Sequence, residues 1–160
     1  FATKEEIIRE AISYHVYQEY ERLTALITEQ PSLIATIVTI MDYLVDMLRT
    51  RFSSFLFMVL DLGQSDIKQL ISEDSNLFTE IRSGVLEHIE QMYKKGKEEN
   101  LIGENVAVKD FSLVVYGIIA AFTNEVIFLM DTRKDKNLKN SDDLLELKER
   151  AIKLILKALK

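Results

Sequence analysis

Residues 109–130 read KDFSLVVYGIIAAFTNEVIFLM, and after Asp110 their only charge is that of Glu125. Apolar residues that run nearly all the way round a helix predict one buried on several sides. One face carries Val115, Ile118, Ile119 and Phe122. Another carries Gly117, Ala121, Asn124 and Phe128, spaced i, i+4, i+7 and i+11. Small residues at Gly117 and Ala121 let another helix backbone come close. The pattern predicts a central helix with its own domain on one side and a second subunit on the other. The second face admits two readings, close packing within one chain or an isologous contact between two. The contact between two chains is favoured, because the opposite face already supplies enough apolar surface for a core. Asn124 on a buried face needs a partner, either its symmetry mate or a nearby backbone group.

The totals narrow the class. A chain of 160 residues suits one domain, 1–160, with a real core. It has no cysteine, which removes disulfides, thiolate metal sites and a cysteine nucleophile. A reducing, cytoplasmic location is the expectation, and no signal peptide is visible. One proline, five glycines and 48% apolar residues suit long helices with few tight turns. A net charge of −6 leaves no large basic surface for nucleic acid. The longest fully apolar run, 55–60, is far short of the ~20 residues that span a bilayer. No membrane partner is therefore expected. The chain begins at Phe1, without an initiator Met and on the edge of a helix, as a piece of a longer protein would.

Outward from the central helix, the expectation is all-α, with about six helices. Thr3-Lys4-Glu5-Glu6 forms a capping box, the Thr3 hydroxyl and the Glu6 carboxylate each taking a backbone N–H. The helix it opens runs 3–28, with an apolar stripe of Ile8, Ile12, Val16, Tyr20, Leu23 and Ile27. Pro31 suits the first turn of a second helix, which Arg49 and Arg51 close. Residues 52–62 read as a short apolar helix, with a buried strand as the alternative. A further short helix is expected around 67–71. The next long helix starts near Ser75 or Asn76 and carries Leu77, Phe78, Ile81, Val85, His88, Ile89 and Met92 on one side. Asn100 suits a left-handed C-terminal cap. Residues 131–140 form a charged loop, and Ser141 or Asp142 caps a last helix.

The opening Phe1-Ala2-Thr3-Lys4-Glu5-Glu6-Ile7 resembles the junction of TetR-type transcriptional regulators. There an aromatic residue ends the DNA-recognition helix and Ser/Thr-Lys-Glu-Glu/Asp-Leu/Ile opens the connecting helix. The following helices have the length and order of that family's C-terminal effector-binding and dimerisation domain. The turn at Asn100-Leu101 also looks like the family's approach to its dimer helix, although Asn100 stands where glycine is common. The resemblance implies that the last helix pairs with the central one, two such pairs making a four-helix homodimer bundle. It implies a ligand-responsive regulator, a repressor in sign, that senses a small apolar or amphipathic effector. It relays through helix 3–28 to operator DNA, by way of a helix-turn-helix domain that this chain lacks. Lys4 alone is carried over, as a contact to the DNA backbone or else a solvated charge.

The candidate site residues follow. His15 and His88 are the only histidines. With Glu19 they make a thin metal set, so no metal or other cofactor is expected. His88 is the better polar contact for a ligand, since Ile81, Val85 and Met92 flank it. The methionines and aromatics suit either plain core or an adaptable cavity. Under the family resemblance the cavity is lined by His15, Met41, Leu44, Phe55, Met58, Val85, His88, Met92, Val115, Ile119 and Phe122. No nucleophile elbow, phosphate loop or dinucleotide fingerprint supports catalysis. The alternatives are a helical protein-interaction module without a pocket, and a small-molecule carrier or enzyme on a bundle.

Overall fold

A computed structural model describes residues 3–50, 75–132 and 141–160, and these are helical without a strand among them. The order is α1 (Lys4–Thr28), α2 (Leu33–Thr50), α3 (Ser75–Glu98), α4 (Val108–Thr132) and α5 (Asp142–Ala158). The short elements expected at 52–62 and 67–71, with Phe55 and Met58, lie outside the described residues.

Local chemistry sets the helix ends. The Glu6 N–H donates to the Thr3 hydroxyl at 3.2 Å, and the Thr3 N–H donates to the Glu6 carboxylate at 2.7 Å. This reciprocal capping box opens α1. Pro31 stands before α2 rather than in its first turn. Ser32 is the capping residue, its hydroxyl accepting from the Ala35 N–H at 3.1 Å and its carbonyl from the Thr36 N–H at 3.0 Å. The Glu99 carboxylate takes the Leu33 N–H at 3.2 Å, so α2 gains a second cap from the far end of α3. Asn100 sits at φ 56°, in the left-handed region. The Leu101 N–H then reaches the Gly96 carbonyl at 2.9 Å and the Asn100 N–H the Lys97 carbonyl at 3.1 Å, which is the Schellman pattern. Ser141 caps α5 through its hydroxyl.

Helix α2 touches all four of the others, and α4 packs more extensively on α5 than on any other helix. The core runs along Leu33, Ile37, Met41, Val45 and Leu48 of α2. It meets Phe111, Val115, Ile119, Phe122 and Val126 of α4, and Leu144, Ala151, Ile155 and Leu159 at the end of the chain. Ile89 and Met92 of α3 and Ile102 of the connecting turn complete it. Burying a side chain such as Phe111 contributes roughly 1.5–3 kcal/mol relative to leaving it in water.

Polar ties hold the α3–α4 connection to this core. The Tyr93 hydroxyl donates to the Val106 carbonyl at 2.7 Å, and its ring meets Phe111 edge-on at 5.6 Å. Lys97 lies 5.3 Å above the same ring and donates to the Gly103 carbonyl at 2.6 Å. Lys148 of α5 pairs with Asp42 of α2 at 2.6 Å.

Candidate effector cavity and exposed helix face

A cavity of about 370 Å³ lies between α1, α2, α3 and α4. Each helix contributes the edge of its apolar stripe. Tyr20, Leu23, Thr24 and Ile27 come from α1, and Ile40 and Leu44 from α2. Val85, His88, Ile89 and Met92 come from α3. Phe111, Ser112, Val115, Tyr116, Ile119, Ala120 and Thr123 form the α4 wall. A mostly apolar lining with a few convergent polar groups is the usual character of a small-molecule site.

Six of the residues expected at a ligand site stand in this wall: Leu44, Val85, His88, Met92, Val115 and Ile119. Three do not. Met41 is wholly buried in line with Leu33, Ile37 and Val45, and packs into the core. Leu44, three residues on, is turned toward the cavity instead. Phe122 is buried beside Val126, while its neighbour Thr123 lines the cavity. His15 is half-buried on α1. Five residues separate it from Tyr20, which puts it about 140° round the helix from the cavity face. The α1 contribution to the cavity comes from Tyr20, Leu23, Thr24 and Ile27, three of which belong to the apolar stripe of that helix. Ser112, Tyr116, Ala120 and Thr123, spaced i, i+4, i+8 and i+11, give no comparable apolar signal.

The meeting of α1 and α3 is close. Tyr20 and His88 lie with ring centroids 6.4 Å apart at a tilt of 54°. The Tyr20 ring extends over Gly84, which has no side chain to obstruct it. On the other side of α1, Tyr43 of α2 donates a short hydrogen bond to the Glu19 carboxylate, and its oxygen is 3.0 Å from the Glu19 carbonyl. Arg22 pairs with the same carboxylate at 2.8 Å. Partial burial raises the pKa of Tyr116, which stays 45% exposed, above its ordinary 10.0, since the phenolate would lose some hydration there.

A second concavity between α1 and α2 is larger, about 640 Å³, but open and walled by Arg22, Asp42 and Asp46 among others. Arg22 is paired with Glu19 and Asp42 with Lys148, so those charges are already engaged. Among the described residues no group of three or more His, Cys, Asp or Glu is placed to hold a metal ion.

The other face of α4 is solvent-exposed. Gly117, Ala121, Asn124 and Phe128 are all exposed, Phe128 to 61% and nearby Leu113 to 74%. A Cβ built on Gly117 meets nothing within 4 Å among the described residues. Val108–Met130 is also long and apolar enough to cross a membrane by length and composition, and only 22% of its apolar window is buried. Lys4 is exposed in the first turn of α1. Comparison with protein-family models, with curated proteins and with solved structures gives no match.

Proposed function

We propose that this chain is the effector-sensing and dimerisation part of a ligand-responsive transcriptional regulator of the TetR type, acting as a repressor. The observation that carries the reading is the make-up of the cavity wall. Four of its residues, Tyr20, Leu23, Thr24 and Ile27, belong to α1. The family resemblance at residues 1–7 makes α1 the helix that continues into a DNA-binding domain. A molecule in the cavity therefore touches the element that would report it.

The mechanism is a population shift. An effector binds best to the conformer in which Tyr20 and the turns after it have moved away from α3. That movement tilts α1 and changes the separation of two DNA-binding domains in a dimer. Recognition elements spaced one DNA turn apart, about 34 Å, lose their register when the separation changes by several ångströms. The exposed face of α4 around Gly117, Ala121, Asn124 and Phe128 supplies the contact between the two copies. A second copy also covers the apolar length of α4 without a membrane.

Native mass spectrometry on protein purified from a bacterial host tests this, with the denatured mass as reference. Two chains plus a small non-covalent adduct is the expected result. A bare monomer would remove both parts of the reading. The exposed apolar face also suits a second reading, a helical module that docks a different protein. Under that reading the chain is monomeric alone and the cavity stays empty with every small molecule offered.

A further inference from the structure

We infer that the cavity takes an uncharged, mostly hydrocarbon molecule with one hydrogen-bonding head, the head seated between Tyr20 and His88. This rests on the proposal that the cavity is an effector site, and it narrows what can enter. Among the described residues the lining has no Asp, Glu, Lys or Arg. A charged ligand would lose its hydration there without meeting an opposite charge, and an unpaired buried charge is strongly disfavoured.

The lining's polar atoms belong to hydroxyls and one imidazole, and they are not equally available. The Thr123 hydroxyl is donated to the Ile119 carbonyl at 2.8 Å. Tyr20 and His88 make a ring contact with each other but no hydrogen bond within the described residues. Between them they offer a donor and an acceptor on neighbouring helices, Thr24 adding a hydroxyl one turn along α1. An alcohol, ether or carbonyl oxygen satisfies such a pair. Leu44, Met92, Val115 and Ile119 add only carbon and sulfur to the lining of the cavity. Its volume of about 370 Å³ holds roughly a dozen groups of water size at ~30 Å³ each, which matches a chain of about ten carbons with its head.

The test uses the protein as purified, after removal of any adduct, and three probes that share a tail: decan-1-ol, decanoate and decyltrimethylammonium. Calorimetry and thermal shift are read at one pH with the wild type, His88→Leu and Ala120→Phe. Decan-1-ol binds, and both ions bind at least tenfold more weakly. His88→Leu weakens decan-1-ol about tenfold, and Ala120→Phe, on the half-open α4 wall, blocks it without unfolding the chain. If either ion binds as tightly as the alcohol and Ala120→Phe blocks it, the uncharged class is wrong and the cavity remains the effector site. If no probe binds, or Ala120→Phe changes nothing, the effector site itself is wrong.

Discussion

The Tyr20 hydroxyl occupies the space in which a side chain on Gly84 would begin, 1.7 Å from the ideal Cβ position. The ring's Cζ follows at 2.8 Å. No methyl group fits there while Tyr20 keeps its place, so these two residues fix how near α1 comes to α3.

In a helix interior, replacing glycine by alanine ordinarily stabilises by about 0.5–1 kcal/mol. Here the sign should reverse. Gly84→Ala destabilises the wild type by about 1–3 kcal/mol, the usual cost of overpacking. In a Tyr20→Ala background the same change becomes stabilising. A double-mutant cycle by urea denaturation measures this coupling. Additive effects would mean that Tyr20 does not rest on Gly84 in solution.

Tyr43 and Glu19 form the tie between α1 and α2. Tyr43→Phe takes the phenolic donor from the Glu19 carboxylate, on a residue only 9% exposed. A loss of about 1–3 kcal/mol is expected for a buried acceptor that loses a donor. Glu19→Gln, which keeps an acceptor for the phenol, should cost less. Equal losses in the two variants would show that the tie needs the charge of the carboxylate and not merely an acceptor.

Leu113→Glu and Gly117→Arg should weaken self-association at least tenfold by sedimentation velocity and leave helicity unchanged. Both positions are exposed in the single chain, so the fold does not need them. If the two variants associate like the wild type, the second copy does not use this face.

Alkaline pH should report on Tyr116. Its folded pKa lies above 10.0 because burial penalises the phenolate, so the unfolded chain releases that proton first. The contribution is whole below the unfolded pKa and disappears as pH rises through the folded one. Stability therefore falls more steeply above about pH 10 in the wild type than in Tyr116→Phe. The slope is reduced rather than abolished, since Tyr17 is also raised, first by the charge of Glu21. Parallel curves would remove burial as the cause.

Much of the fold was legible because helix ends are decided locally. The Thr3 and Glu6 pair, the left-handed Asn100 and the Ser141 cap each depend on a few adjacent residues. Pro31 lies two residues before the first helical residue, Leu33. Ser32 caps α2 through its own hydroxyl, and the carboxylate of distant Glu99 adds a second cap at the Leu33 N–H that local sequence does not show. The cavity was less legible for a related reason. Met41 and Leu44 are equally apolar and three residues apart, and which of them faces a void depends on how α2 is rotated against α1 and α4. Periodicity identifies a buried stripe but not the partner helix each edge meets. Polar wall residues such as Ser112 and Thr123 carry even less signal, because a helix hides them among its solvated positions.

The fastening of α1 has a mechanical consequence. Lys95 of α3 grips the Gln30 carbonyl at 2.6 Å, just past the end of α1, so that end is anchored to α3. A rigid rod fixed at one end moves further the greater the distance from the anchor. At 1.5 Å of rise per residue, Tyr20 lies about 12 Å from Thr28 and Lys4 about 36 Å. Were α1 to tilt as a rigid rod about that end, with the Glu19–Tyr43 tie yielding, a displacement of roughly 1 Å at Tyr20 would become roughly 3 Å at Lys4.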